Sequence, residues 1–158
     1  MPNEAAGSTG PADPDPTIEA VRAIVRASRM LERASGELSL AHYRVLAAIS
    51  GGEQRASRVA QRLAVGKPTV SAAVDVLVQR GLVARHIEVA DNRVTVLRVT
   101  AEGWDVLARV EAAMVERLTR LAELTGDADG LVGCLARLGR ALDDSRAAQR
   151  PGRSGSAP

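Results

Sequence analysis

The chain has 158 residues, enough for one domain with a core and too few for two large ones. One Trp, one Tyr and no Phe leave Leu, Val, Ile and Ala to fill that core, which favours closely packed helices. A single Cys excludes an internal disulfide and a Cys-rich zinc site, and there is neither a run of about 18 apolar residues nor a basic-then-apolar leader, so a cytoplasmic protein is expected, with no membrane span.

Residues 1–16 and 151–158 are rich in Pro, Gly, Ser and Ala and are expected to be disordered tails. Thr17 is placed to cap a first helix over Ile18–Ala34, with Ile18, Val21, Val25 and Leu31 as its apolar stripe and Gly36 as its stop. Ser39 caps a second helix, LAHYRVLAAIS, which Gly51-Gly52 breaks. A third, short helix spans about Ala56–Ala64 with Val59, Ala60 and Leu63 inward. Val65-Gly66 links it to a fourth, about Lys67–Arg80, with Val70, Val74, Leu77 and Val78 inward and Gly81 as the stop. Two stretches rich in β-branched residues follow, 82–89 and 94–100, around the polar tip Ala90-Asp91-Asn92-Arg93. They read as a hairpin, and centring the turn on Asp91-Asn92 sets Arg85 opposite Arg98. Thr100 caps a long helix, about Ala101–Leu124, lined by Val106, Leu107, Val110, Met114, Leu118 and Leu121. Thr125-Gly126 breaks it, and Asp127 or Asp129 caps a last helix over about Gly130–Ala148. There Leu131, Leu135, Leu138 and Leu142 recur at spacings of 4, 3 and 4, a heptad-like seam.

The net charge is only +2, but it is unevenly spread. From Arg44 to Arg98 there are nine bases against four acids, a surplus of five, while the first sixteen residues hold three acids and no base. A basic middle suggests a face for a polyanion. The third and fourth helices supply its shape: two short helices joined by a tight turn, with small Ala60 allowing close crossing. That is the layout of a helix–turn–helix whose second helix enters the major groove by its N-terminal end. The outward residues there are Lys67, Thr69, Ser71, Ala72 and Asp75, and Pro68 fits a first turn. Arg55, Arg58 and Arg62 are placed for phosphates. A recognition helix that runs straight into a hairpin with a basic tip makes a winged helix. Arg93 then reaches a minor groove, with Asp91 bonding the turn and holding Arg93 in place.

From about Leu38 to Thr100 the chain resembles the MarR family of bacterial transcriptional regulators. Its Asp91-Asn92-Arg93, five residues, then Val99-Thr100 matches the family's wing signature, and VAQRLAVGKPTVSAAVDVLVQRGLVAR matches its helix–turn–helix. The resemblance implies a mainly α fold with a small β-hairpin wing: a winged helix–turn–helix, residues 37–100, flanked by dimerisation helices at 17–36 and 101–150. It also implies a homodimer on double-stranded DNA at a palindromic operator, a repressor released by a small-molecule effector or another signal. Two departures stand out. Ala72 occupies a position where the family often has Arg, and Gly66 replaces a Ser or Thr cap, a change worth a few tenths of a kcal/mol.

For an effector, Arg26, His42 and Tyr43 are the expected ligand-facing residues. Cys134 is expected to be a buried, inert thiol beside the leucine seam. No catalytic residues, metal ligands or cofactor motifs are expected: the two His have no partners at ligand spacing, and no Gly-rich phosphate loop is present. The rival reading is a winged-helix interaction module that does not read DNA.

Overall fold

The computed structural model describes residues 15–52, 55–88 and 91–148. Six helices and one antiparallel hairpin follow in chain order: α1 Pro16–Ala34, α2 Leu40–Ser50, α3 Ala56–Leu63, α4 Lys67–Gln79, β1 Val83–Glu88, β2 Asp91–Val99, α5 Ala101–Glu123 and α6 Ala128–Ala148. The expected tails, 1–16 and 151–158, lie outside the described residues except for Asp15 and Pro16.

The helix ends show where short-range chemistry acts. Asp15, not Thr17, caps α1: its carboxylate accepts from the Thr17 backbone N at 2.7 Å. Pro16 starts the helix because a proline in the first turn gives up no hydrogen bond, and this moves the cap two residues upstream. Ser39 caps α2 as expected, accepting from His42 N at 3.2 Å. The third helix stops one residue early because Ala64 takes a left-handed conformation, φ 54°. Asp127, not Asp129, caps α6, accepting from Gly130 N at 2.9 Å.

One core unites the middle of the chain. It is built from Val45, Leu46 and Ile49 of α2, Val59 and Ala60 of α3, and Val70, Val74 and Leu77 of α4. The hairpin adds Val83 and Leu97, and α5 adds Val106, Leu107, Val110 and Met114. Small Ala60 is buried, on a helix that packs against both α2 and α4.

The hairpin register is Val83↔Val99 through Ile87↔Thr95, with an irregularity at Ile87/Glu88. Arg98 therefore faces Ala84, and Arg85 faces Leu97, one residue away from the expected pairing. The slip has a cause. The expected register would make Thr100 a strand residue opposite Val83, but Thr100 is committed to α5. Its hydroxyl accepts from Gly103 N at 3.0 Å and donates to the Gly81 carbonyl at 2.6 Å, while its backbone N donates to the Leu82 carbonyl at 3.1 Å. The end of α4, the base of the hairpin and the start of α5 thus share one threonine.

The terminal helices differ from the rest. No residue of α1 is buried, and Ile18, Val21, Ile24 and Val25 are exposed. Leu135, Leu138 and Leu142 of α6 are exposed too. Cys134 is also exposed, contrary to the burial expected of it, because within one chain α6 packs mainly on α5 and leaves most of its surface uncovered.

Candidate nucleic-acid interface

The N-terminal half of α4 divides cleanly by period. Val70, Ala73, Val74 and Leu77 face the core, while Lys67, Pro68, Thr69, Ser71, Ala72 and Asp75 are exposed. Gly66 stands at the N-cap and makes no side-chain cap. The first backbone N–H groups of α4 are therefore left for an outside acceptor such as a phosphate oxygen. Arg55 stands exposed at the N-cap position of α3, and Arg58 and Arg62 are exposed along it. Arg62 does not simply project into solvent: its Nη1 donates to the Ala48 carbonyl in the last turn of α2, at 3.4 Å. A cation there also suits the negative end of the α2 dipole.

The sequence pattern did not reveal what Asp75 does. Its carboxylate pairs with the Arg85 guanidinium, joining the outward face of α4 to the first strand of the hairpin. The two residues are ten apart and meet only once the helix and strand are folded together. An acidic group on a face offered to a polyanion would repel it; here a cation from the hairpin offsets that charge. Asp91 and Arg93 lie in the described backbone of β2, but their side chains, with residues 89 and 90, fall outside the described part.

Arg26, His42 and Tyr43 are the residues expected to face an effector. Arg26 is exposed on α1. His42 Nδ1 lies 3.0 Å from Ser39 Oγ, in the capping turn of α2. The Tyr43 hydroxyl donates to Glu111 Oε1 at 3.3 Å, bridging α2 to α5. A groove of about 410 Å³ runs instead between α1 and α5, walled by Met30, Ala34, Leu121 and Leu124 with Arg33, Arg117 and Arg120. A smaller hollow of about 50 Å³ lies under α4. Neither is lined by Arg26, His42 or Tyr43.

Burial raises the Tyr43 pKa, and the neighbouring Glu111 charge and hydrogen bond add to it. The phenol therefore stays protonated at neutral pH. Because the folded value is raised, the stabilisation linked to it is present below pH about 10 and is lost as pH climbs through the raised value. Tyr43 is the chain's sole tyrosine, so tyrosinate absorbance reads it directly. A midpoint above 10 is expected, and Glu111→Gln should lower it; a midpoint unmoved by that change would rule out the contact.

Among the described residues no group of three or more His, Cys, Asp or Glu could hold a metal ion. No helix among them is long and apolar enough to cross a membrane.

A family model described as MarR family matches residues 37–93. Among solved structures, the chain is similar to the transcriptional repressor CouR bound to a 23-mer DNA duplex: 26% identity, TM-score 0.66, covering 78% of this chain and 91% of that one. It is similar also to CouR from Rhodococcus jostii RHA1 bound to p-coumaroyl-CoA, at 20% identity and TM-score 0.66, covering 90% and 96%. The regulator BldR from Sulfolobus solfataricus matches at 24% identity and TM-score 0.64, covering 82% and 94%. No curated protein matches the chain.

Proposed function

Over residues 37–93 the chain belongs to the MarR family of DNA-binding, non-enzymatic transcriptional regulators, and from that premise we propose that it is a homodimeric repressor that reads a palindromic operator in double-stranded DNA. The observation that carries the reading is the exposed first half of α4, Lys67 to Asp75, braced by Arg85 against a hairpin that follows the helix directly. Lys67, Thr69, Ser71 and Ala72 meet base edges and phosphates in the major groove, with Pro68 and the free N–H groups of the first turn beside them. Arg55, Arg58 and Arg62 lie along the phosphate backbone. Arg93, steadied by Asp91, enters the neighbouring minor groove. That a similar structure is a repressor bound to a DNA duplex supports this use of the fold.

The division of labour follows from exposure. Residues 37–100 form the reading unit. The apolar faces of α1 and α6 are bare in the single chain, and bare apolar faces of that extent mark a protein interface. In this reading 17–36 and 101–150 bury them against a second copy. Two-fold symmetry then presents two recognition helices to two half-sites. A small amphipathic effector releases the dimer from DNA, a role supported by the ligand in a similar structure. The protein acts in the cytoplasm on chromosomal DNA.

The test is binding to the DNA upstream of its own gene, against random competitor, at two salt concentrations. A phosphate-anchored reader prefers that DNA and loses affinity steeply with salt. Arg93→Ala should weaken specific binding by about 1–3 kcal/mol and leave the dimer intact. If neither that DNA nor a random pool yields a preferred sequence, the winged-helix interaction module replaces this reading.

A further inference from the structure

We propose that Glu37 is a positioning residue for DNA recognition: it locks the end of α4 to the body of α5 and so sets the angle at which the recognition helix is presented. This rests on the reading of α4 as the DNA-reading helix of a dimer.

Glu37 stands on the turn between α1 and α2, and three elements meet there. One carboxylate oxygen, Oε1, accepts from Arg109 Nη2 at 3.2 Å and from Arg109 Nε at 3.3 Å, a two-pronged grip from α5. The other, Oε2, lies 3.9 Å from Arg80 Nη2. Arg80 also donates from Nη1 to the Glu37 carbonyl at 2.9 Å. Arg80 is the C-cap of α4, immediately before the hairpin. One acidic residue therefore meets the C-cap of the reading helix and the body of the long helix at once.

The turn that carries Glu37 is itself rigid. Ser35 is buried, and its hydroxyl is shared between the carbonyls of Glu32 at 2.7 Å and Leu38 at 2.5 Å. Gly36 takes φ +56°, which a side chain would resist. Leu38 N returns to the Ser35 carbonyl at 3.2 Å, and Leu40 N reaches Glu32 Oε1 at 3.1 Å. Leu38 is fully buried as the anchor. The carboxylate is thus aimed in advance, and little ordering entropy is left to oppose its bonds.

Such a cluster is not there to hold the chain folded. Its members are a third or more exposed, and exposed ion pairs add little stability. Its use is geometric. The main packing partners of α4 are α2, α3 and β1, whereas those of α5 are α1, α2 and α6. Thr100, at the start of α5, grips Gly81 and Leu82 just past the end of α4. Arg109 is nine residues further along α5, about 13 Å away. The end of α4 is thus tied to α5 at two points along the long helix, in addition to the core that the two helices share. In a dimer, the angle of each α4 decides how far apart the two reading helices stand.

The experiment uses the full chain and an operator selected from a random DNA pool. Palindromes are then made with the half-site separation changed one base pair at a time. Wild type, Glu37→Gln, Arg109→Gln and the double variant are titrated on each, and their unfolding midpoints are measured. Wild type should bind best at one separation. Glu37→Gln should bind that site about 3- to 10-fold more weakly and lose less at neighbouring separations, so that its profile flattens with the unfolding midpoint nearly unchanged. The double variant should be no worse than the single ones. A Glu37→Gln profile of wild-type shape, or a loss that simply tracks a lowered midpoint, overturns the proposal while leaving the DNA-reading function standing. If wild type itself selects no DNA, both fall together.

Discussion

Gly103→Ala should destabilise the fold by about 3 kcal/mol or more, a large part of the total stability of an ordinary domain. Gly103 is buried in the first turn of α5. A Cβ there would run into the backbone carbonyl oxygen of Leu82 and come within 2.8 Å of Val99 Cγ1. The side chain of Val99 has some freedom to move. The Leu82 carbonyl does not, because it accepts from Thr100 N and closes the base of the hairpin. Relief would mean shifting α5 off the hairpin, and α5 contributes Val106, Leu107 and Val110 to the core. Urea unfolding of Gly103→Ala beside Thr100→Val makes the comparison: the threonine change removes hydrogen bonds and should cost about 1–2 kcal/mol, clearly less than the glycine change. A Gly103→Ala midpoint equal to wild type would show that α5 does not meet the hairpin as closely as described.

The second large effect concerns assembly. On the proposed reading of the chain as a homodimer, Leu135→Glu with Leu138→Glu should give a folded monomer and abolish tight operator binding. Both leucines are more than a third exposed in the single chain, so charging them leaves the core intact. In the proposed dimer each would lose about 1 kcal/mol of burial, the share of a leucine side chain still exposed in the single chain, and would force a carboxylate into an apolar interface. Two changes per subunit, repeated by symmetry, should raise the dimer dissociation constant at least about 1,000-fold. Operator affinity should fall with it, since a monomer engages one half-site and loses the gain of linked binding. Sedimentation with and without DNA reads both. A variant that still sediments as the wild-type dimer would place the interface elsewhere.

What the sequence made legible was local. The periodic apolar residues of α4 predicted the helix and the face it buries, because a helix shows its buried side every three to four residues; those of α5 did so from Val106 to Met114, whereas Leu121, expected on the same face, is exposed. Ser39 and Thr100 were readable as caps from residue type alone, and the hairpin from its β-branched runs. Four features were not readable. Pairing Arg85 with Arg98 failed because turn placement alone does not fix a register; the second duty of Thr100 does, and that duty depends on Gly81 being near. The Asp75–Arg85 pair and the Glu37 cluster join residues far apart in the chain, and nothing in the spacing of charges marks them. Cys134 looked like a core thiol because it sits among leucines, but those leucines are themselves bare within one chain. Amphipathic spacing says that a face will be covered; it does not say by which molecule.

Between β2 and α5 there is a single residue, Thr100. A connection of that length has no slack. One residue added beside Thr100 would turn the following helix by about 100° and send its apolar side out of the core. The junction should therefore admit neither insertion nor deletion. Where the hairpin is hinged is therefore set by how α5 packs behind it.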